Sequence, residues 1–337
     1  MAFVVPAEIG HAPYARPVIE YLAEHFGKVQ VIAVREKMFP DLSEDCWLLY
    51  AEGFGGRTDH IFLSSMRRFR FMETPPTSGI RVTITEWEKW NRRLRPFLLP
   101  SHARDFYQQT VESRQSVRLG EVAKVGIGYV TGNNGFFHLR PSEARLWGIP
   151  EELLQPTIRN GKMLTGRAVT LEKVQAWRRR DEPNFLLRLR AGTEIPTTVL
   201  SYLDSAGGRQ ARATYKCRNR EPWYVVPDIV IPDGFLAYMS GGGPALVTNH
   251  ANCSGTNSVH MVIMTGAVKI AEVQKAWDTP FTKLSCEIEG HPLGGGMLKI
   301  EPREAGRVVL TREPMSMADQ TLIQEGISTM QGWRHCG

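Results

Sequence analysis

Ala2-Phe3-Val4-Val5, Val29-Gln30-Val31-Ile32-Ala33-Val34 and Cys46-Trp47-Leu48-Leu49-Tyr50-Ala51 are three apolar runs with one helical pattern among them. The first reads as a buried strand that begins one residue after the initiator methionine. After Pro13, the residues Tyr14, Val18, Leu22 and Phe26 recur at spacing four and Gly27 closes the pattern, which predicts a helix. Strand, helix, strand and strand make a piece of an α/β sheet. Parallel strands are buried on both faces and need neighbours and helical cover. Three short strands do not complete such a sheet, so residues 1–60 are expected to be the end of a larger domain.

Working outward, residues 61–118 read as a basic helical connector. Thr74-Pro75-Pro76-Thr77-Ser78-Gly79 is a turn-rich break. Thr85 and Glu88 suggest a capping box for a helix carrying Trp87, Trp90 and Leu94, and a second helix is predicted from Ser101 to Ser113. From Leu119 the texture changes to short β-like runs between Gly, Pro and Asn clusters: Val122–Tyr129, Phe136–Leu139, Trp223–Val226, Phe235–Ser240, Ala245–Thr248 and Val259–Met264. Short helices are predicted near Ser142–Trp147 and Glu172–Arg179. Residues 119–310 are thus a mixed α+β, β-rich second domain, and 311–337 a tail with a short helix at Asp319–Gly326.

The 337 residues are 42% hydrophobic and 23% charged, which excludes disorder, collagen and coiled coil. No apolar run approaches the ~18 residues of a membrane helix, and Ala2–Val5 stops at Pro6 without a basic region before it, unlike a signal peptide. Cysteines at 46, 217, 253, 286 and 336 form no CxxC pair, so neither a disulfide framework nor a zinc ribbon is expected. A reducing cytoplasm is the expected compartment.

Charge is unevenly distributed within the net +6. Residues 60–118 carry 11 basic and 5 acidic groups, net +6, and residues 159–220 carry 14 and 5, net +9. Arginine dominates both zones (Arg67, Arg68, Arg70, Arg92, Arg93 and Arg95 in the first). Its planar fork suits phosphate and guanine, although a single run such as Arg178-Arg179-Arg180 is more simply a solvated face.

Motifs for chemistry are sparse. Gly126-x-Gly128-x-x-x-Gly132 invites a dinucleotide reading, but no helix opens after the glycines; tight turns, or close backbone approach to a ligand, explain them better. His250, Cys253 and His260 match no common zinc spacing. No Gly-x-Ser-x-Gly elbow, P-loop or His-Glu-x-x-His helix is present, so no catalytic constellation emerges. Tyr215-Lys216-Cys217-Arg218-Asn219-Arg220-Glu221-Pro222-Trp223-Tyr224 is the most informative decapeptide: if extended, it aims three cations to one side, followed by two aromatics. That suits nucleic-acid contact or, equally, Trp223 in a core with the cations at a solvated edge.

In order along the chain, Ala2-Phe3-Val4-Val5-Pro6-Ala7-Glu8, Met38-Phe39-Pro40-Asp41 and Leu48-Leu49-Tyr50-Ala51-Glu52-Gly53 resemble the back half of the catalytic domain of TaqI-type (gamma-arrangement) adenine-N6 DNA methyltransferases. Leu119-Gly120-Glu121-Val122 through Val130-Thr131-Gly132-Asn133-Asn134-Gly135-Phe136-Phe137 resembles the start of that family's target-recognition domain. The decapeptide core, Phe235–Ser240, Thr256-Asn257 and Gly294-Gly295-Gly296-Met297-Leu298-Lys299-Ile300 are similar to its remainder.

The resemblance implies a partial methyltransferase Rossmann-like sheet followed by a target-recognition domain, with double-stranded DNA as partner. It implies methyl transfer from S-adenosylmethionine to an adenine flipped out of the duplex, in a restriction–modification or defence system. Phe39 falls where the family places an aromatic against the flipped base; a plug beside Pro40 is the plainer alternative. DNA contacts are expected from Thr131, Asn133, Asn134, Arg159, Lys216, Arg218, Arg220, Trp223, Tyr224, Asn257 and Lys299. The family's glycine-rich cofactor motif and Asn-Pro-Pro-Tyr tetrapeptide are absent from these residues, and Pro75-Pro76 lies between threonines. The chain alone is therefore expected to have no catalytic residues, to bind neither S-adenosylmethionine nor a metal, and not to methylate. A second polypeptide with the N-terminal half would complete it. The alternative is a DNA-binding specificity module without chemistry, whose first 59 residues would be self-sufficient; the split enzyme would leave an exposed apolar face there.

Overall fold

The computed structural model describes residues 1–42 and 44–335, so Cys336 lies outside the described residues. The chain divides into two units: Met1–Val117 with Met239–Gly243 and Thr279–Gly337, and Arg118–Tyr238 with Pro244–Asp278.

The first unit is built on one mixed sheet. Its elements are β1 (Ala2–Pro6), α1 (Arg16–His25), β2 (Phe26–Val34), β3 (Cys46–Phe54), β4 (His60–Met66) and β5 (Ile80–Thr83). The order is β1-β3-β2-β4-β5. Only β2 and β4 run parallel, with Val34 opposite Met66; β1/β3, β2/β3 and β4/β5 are antiparallel. Along β2 the residues from Val29 to Val34 are all buried, as a central strand requires.

Three expectations change here. β1 is an edge strand with Phe3 and Val4 exposed, not a buried one, because it pairs with β3 alone. Together with Tyr14 and Val18 of the predicted helical face, it lines an apolar groove with Ile9, Leu22 and Leu49. Of the spacing-four set the helix buries only Leu22, beside Ile19 and Ala23; Tyr14 and Val18 are exposed, and the buried Phe26 already belongs to β2. Residues 60–83 contribute β4 and β5 to the sheet; the charged stretch between these strands conceals them in the sequence.

The capping box lies two residues before the expected pair. Thr83 accepts from Glu86 N at 3.1 Å and the Thr83 N–H donates to the Glu86 carboxylate at 3.1 Å, opening α2 (Ile84–Lys89). The next helix, α3 (Ser101–Glu112), falls where the sequence predicts it.

Two late segments complete this unit. The helix Pro280–Glu289 is buried along most of its length, and the tail forms a long helix, Met317–Trp333, that buries Ile323, Ile327 and Met330. Residues 279–310, read from the sequence as part of the second domain, therefore pack with the first sheet. Tyr107 stacks on Trp90 at 5.9 Å and on Phe281 at 5.3 Å, and its hydroxyl meets Ser285 Oγ at 2.9 Å.

The second unit holds a five-stranded sheet, in the order Ala168–Val169, Leu246–Asn249, Gly234–Ala237, Val259–Met264 and Ala123–Ile127. A four-stranded sheet runs Ser254–Gly255, Leu154–Ile158, Phe185–Leu187 and His138–Leu139. Helices form at Pro141–Leu146 and Leu171–Arg179, close to expectation, and at Thr197–Leu203, Ala206–Ala213 and Tyr215–Arg218, which periodicity had not suggested. Phe136 and Phe137 end a short helical turn, and Trp223–Val226 is not a strand. No helix among the described residues is long and apolar enough to cross a membrane.

Phe281 is fully buried and carries the aromatic stack. Phe281→Ala is expected to cost about 3–5 kcal/mol of stability, read as a lowered urea midpoint at an unchanged m-value.

Candidate nucleic-acid interface

In the second unit, two glycines set the geometry. A Cβ on Gly128 would stand 2.0 Å from Gly255 O, so the chain passes there only without a side chain. Tyr129 N donates to Gly255 O, and Asn257 N to Tyr129 O, both at 3.0 Å. Thr256 closes the junction, its N–H on Ile158 O at 3.0 Å and its hydroxyl on Arg159 O at 2.8 Å. Gly132, at φ 90°, lets the next loop lie against Lys216 and Cys217. At Gly128 the close approach is thus to protein backbone, and at Gly132 to the side chains of Lys216 and Cys217.

This knot gathers most of the expected contact residues and sorts them. Thr131 is buried and donates to Asn134 Oδ1 at 2.7 Å, which holds the turn. Asn133 caps the helical turn at Phe136 N, 3.1 Å away. Arg220 donates to the carbonyls of Thr131 and Val130, each at 2.6 Å, so its guanidinium is spent inside the unit. Trp223 lies 5.9 Å from Phe136 and 6.4 Å from Phe137, half-buried against the core with Tyr224. The decapeptide is not extended: Tyr215–Arg218 is a helical turn, closed by the N–H of Arg220 on Cys217 O. Lys216, Arg218, Asn134 and Asn257 remain exposed, and Arg159 is partly buried with one bond to Pro183 O. Lys299 belongs to a small sheet of the first unit and pairs with Glu301 at 2.6 Å.

Beneath the knot, the Tyr129 hydroxyl meets His138 Nε2 at 2.8 Å and Thr157 Oγ1 at 2.6 Å. Burial, helped by the nearby Arg159 charge, pushes the His138 pKa down to about 3.

In the first unit, Phe39 sits in the loop after β2. Its neighbour Met38 packs against Ile32, Val34 and Leu48, while Phe39 itself is 43% exposed, not plugged. Lys37 Nζ braces the loop on Leu42 O at 2.9 Å. The end of β4 runs alongside: Arg35 N donates to Met66 O at 3.0 Å and Glu36 N to Arg67 O at 2.7 Å. Phe39 and Arg67-Arg68-Phe69-Arg70-Phe71 therefore leave the same carboxyl end of the parallel pair, where open α/β sheets bind ligands. The basic zone marks these arginines as suited to phosphate, and their alternation with Phe69 and Phe71 is the further signal in the sequence.

Much of the first basic zone serves another purpose. Arg93 and Arg95 are buried, Arg93 on Glu289 at 2.7 Å and Arg95 on Glu287 O at 2.5 Å. Arg92 pairs with Glu20 and Glu88.

Among the described residues His250, Cys253 and His260 do not gather, whereas His11, His291 and Glu304 do, within 4.8 Å. Each ring meets a carboxylate through Nε2, His11 with Glu304 at 3.0 Å and His291 with Glu8 at 2.8 Å, while His11 Nδ1 is buried without a hydrogen-bond partner. Burial, then Arg93, Arg95 and Arg307, holds His11 well below the usual histidine pKa, and the same positive surroundings oppose a dication. Cys46, Cys217, Cys253 and Cys286 are free thiols.

With this geometry in place, the sequence profile of a family described as "Type II methyltransferase M.Eco57I, C-terminal domain" matches residues 88–331. The chain belongs to that family. It is 20% identical over 329 residues to the Type II methyltransferase M.AccI of Acinetobacter calcoaceticus, a match covering 91% of this chain and 58% of M.AccI. The chain thus spans less than two thirds of that relative. Solved structures give TM-scores of 0.42 to the type IIG restriction endonuclease BpuSI and 0.46 to the Type IIL restriction–modification enzyme MmeI in complex with DNA. Identities are 12% and 11%, over 96% and 99% of this chain and 42% and 46% of theirs.

His138 supplies a pH test of the family domain's core. Its folded pKa lies below its unfolded value of 6.5, so its contribution is present above pH 6.5 and is lost as pH falls towards 3. Stability should drop by up to about 1.4 kcal/mol per pH unit from this group. Urea titrations of the second unit's unfolding between pH 7 and 5 should show a flatter dependence in His138→Gln.

Proposed function

We propose that this chain supplies the DNA-engaging part of an adenine-N6 methyltransferase of a restriction–modification system. The second unit holds the duplex through Asn134, Arg159, Lys216, Arg218 and Asn257, and Phe39 stacks on the flipped adenine. The observation that carries the reading is the exposed Phe39 ring beside arginines at the carboxyl end of a parallel strand pair, in a chain of this family. Stacking there offsets part of the few kcal/mol of unpairing.

The residues present do not fit S-adenosylmethionine. Backbone fills the glycine run at Gly128, and the family's Pro-Pro tetrapeptide is absent from the sequence. In this reading, the cofactor site and methyl transfer belong to the share of the relatives' length that the chain does not span. The apolar groove along β1 is where that remainder, on the same or a second polypeptide, would pack.

Fluorescence anisotropy of a duplex with one unpaired adenine, from about 50 to 200 mM salt, tests this. Binding should weaken linearly in log–log form, and Lys216→Ala and Arg218→Ala should each flatten the slope by about 0.9. Phe39→Ala should leave the slope unchanged and cost about 1–3 kcal/mol. Absence of binding at about 50 mM salt overturns the reading.

A further inference from the structure

Arg67 to Met72 leave β4 as an exposed strap with an unusual composition for solvent: three guanidiniums, two phenylalanines and a methionine. Phe71 is 88% exposed, and Phe69 and Met72 are each 41% exposed. Large apolar side chains in water at this density mark an interaction surface. The arginines, meanwhile, exclude an apolar partner for the same stretch.

The guanidiniums are also organised. Glu36, at the end of β2, takes Arg67 through Nε at 3.0 Å and Arg68 through Nε at 2.7 Å. One carboxylate thus holds two guanidiniums, each by its inner nitrogen, while both arginine side chains stay largely exposed. With Arg70, Met66 and Met72 they border an open cleft of about 540 Å³. Planar forks of this kind suit phosphate oxygens bidentately, and exposed rings between them suit unstacked bases.

We propose that the Arg67–Met72 strap binds the DNA strand bearing the displaced nucleotide, with Arg67, Arg68 and Arg70 on its phosphates and Phe69 and Phe71 on the bases beside the vacated position. This rests on the functional reading above and adds a second contact surface to it. Its place follows from the register: the strap and the Phe39 loop leave neighbouring parallel strands, joined by the Arg35–Met66 and Glu36–Arg67 backbone bonds. A nucleotide stacked on Phe39 would carry its flanking phosphates within reach of side chains from the adjoining strand end. Glu36 then acts as a positioning residue, setting the spacing of two cations without touching DNA.

The test uses the full chain and the duplex with one unpaired adenine, with 5-iodouracil next to that adenine. The variant combining Arg67→Ala, Arg68→Ala and Arg70→Ala should flatten the salt slope by about 0.9 for each arginine. Its melting curve should be unchanged, since all three side chains are exposed. Photo-crosslinks should map to the peptide containing Phe69 and Phe71 and disappear in the variant combining Phe69→Ala and Phe71→Ala. Wild-type slope and affinity in the triple variant, while Lys216→Ala still weakens binding, would overturn the strap and leave the functional reading standing. Crosslinks confined to the second unit would do the same. Failure of the wild-type chain to bind duplex at low salt would remove both.

Discussion

Two buried carboxylates, Glu287 and Glu289, hold the first unit together. Glu289 receives Arg93 at 2.7 Å and Arg307 at 2.8 Å, and Glu287 receives Arg334 through two nitrogens at 2.6 and 2.9 Å. Arg95 lies 4.0 Å from Glu287 and spends its donors on the carbonyls of Glu287, Gly290 and Met330; complete burial lowers its pKa to about 10. Burying such charges costs several kcal/mol each, and the hydrogen bonds of a full set of partners must offset it. Removing one partner typically costs 3–5 kcal/mol, roughly, because the other charge is stranded. The network therefore specifies one arrangement: the Pro280–Glu289 helix, the turn after α2 and the final helix dock together or not at all. The sheet that presents Phe39 and the strap rests on these elements.

The same network explains why charge was a poor guide to surface. Arg92, Arg93 and Arg95 look alike in the sequence, yet the first is exposed and paired while the other two are interior. Their acidic partners lie about 200 residues away in sequence, beyond any local pattern. Likewise Arg220, in the most nucleic-acid-like decapeptide, ties down two carbonyls, whereas Arg70, in a stretch that looked like a linker, faces solvent.

What was legible came from short-range physics. The apolar runs at Val29–Val34, Cys46–Ala51 and Val259–Met264 are short, carry β-branched or aromatic residues among other apolar ones, and are largely buried as strands. The helix at Ser101 begins after a proline and ends where expected. The Gly126–Gly132 run does mark a close backbone approach at Gly128, but to the backbone of Gly255 where the sequence suggests a ligand. What was hidden depends on pairing: that β2 runs parallel to β4, that β1 is an edge, and that residues 279–335 return to the first sheet. Periodicity describes one segment at a time and does not say which segment lies beside it.

That return has a temporal side. Val29, Val31 and Ala33 leave the ribosome well before Phe281, Leu284, Ile288 and Ile323, which share their core. Until those later residues follow, the nascent sheet lacks part of its cover and exposes apolar surface that a chaperone or another chain can occupy. Contacts of such long sequence separation also slow folding. The second unit, made between the two halves, draws its hydrophobic clusters entirely from its own residues and can fold while the first waits.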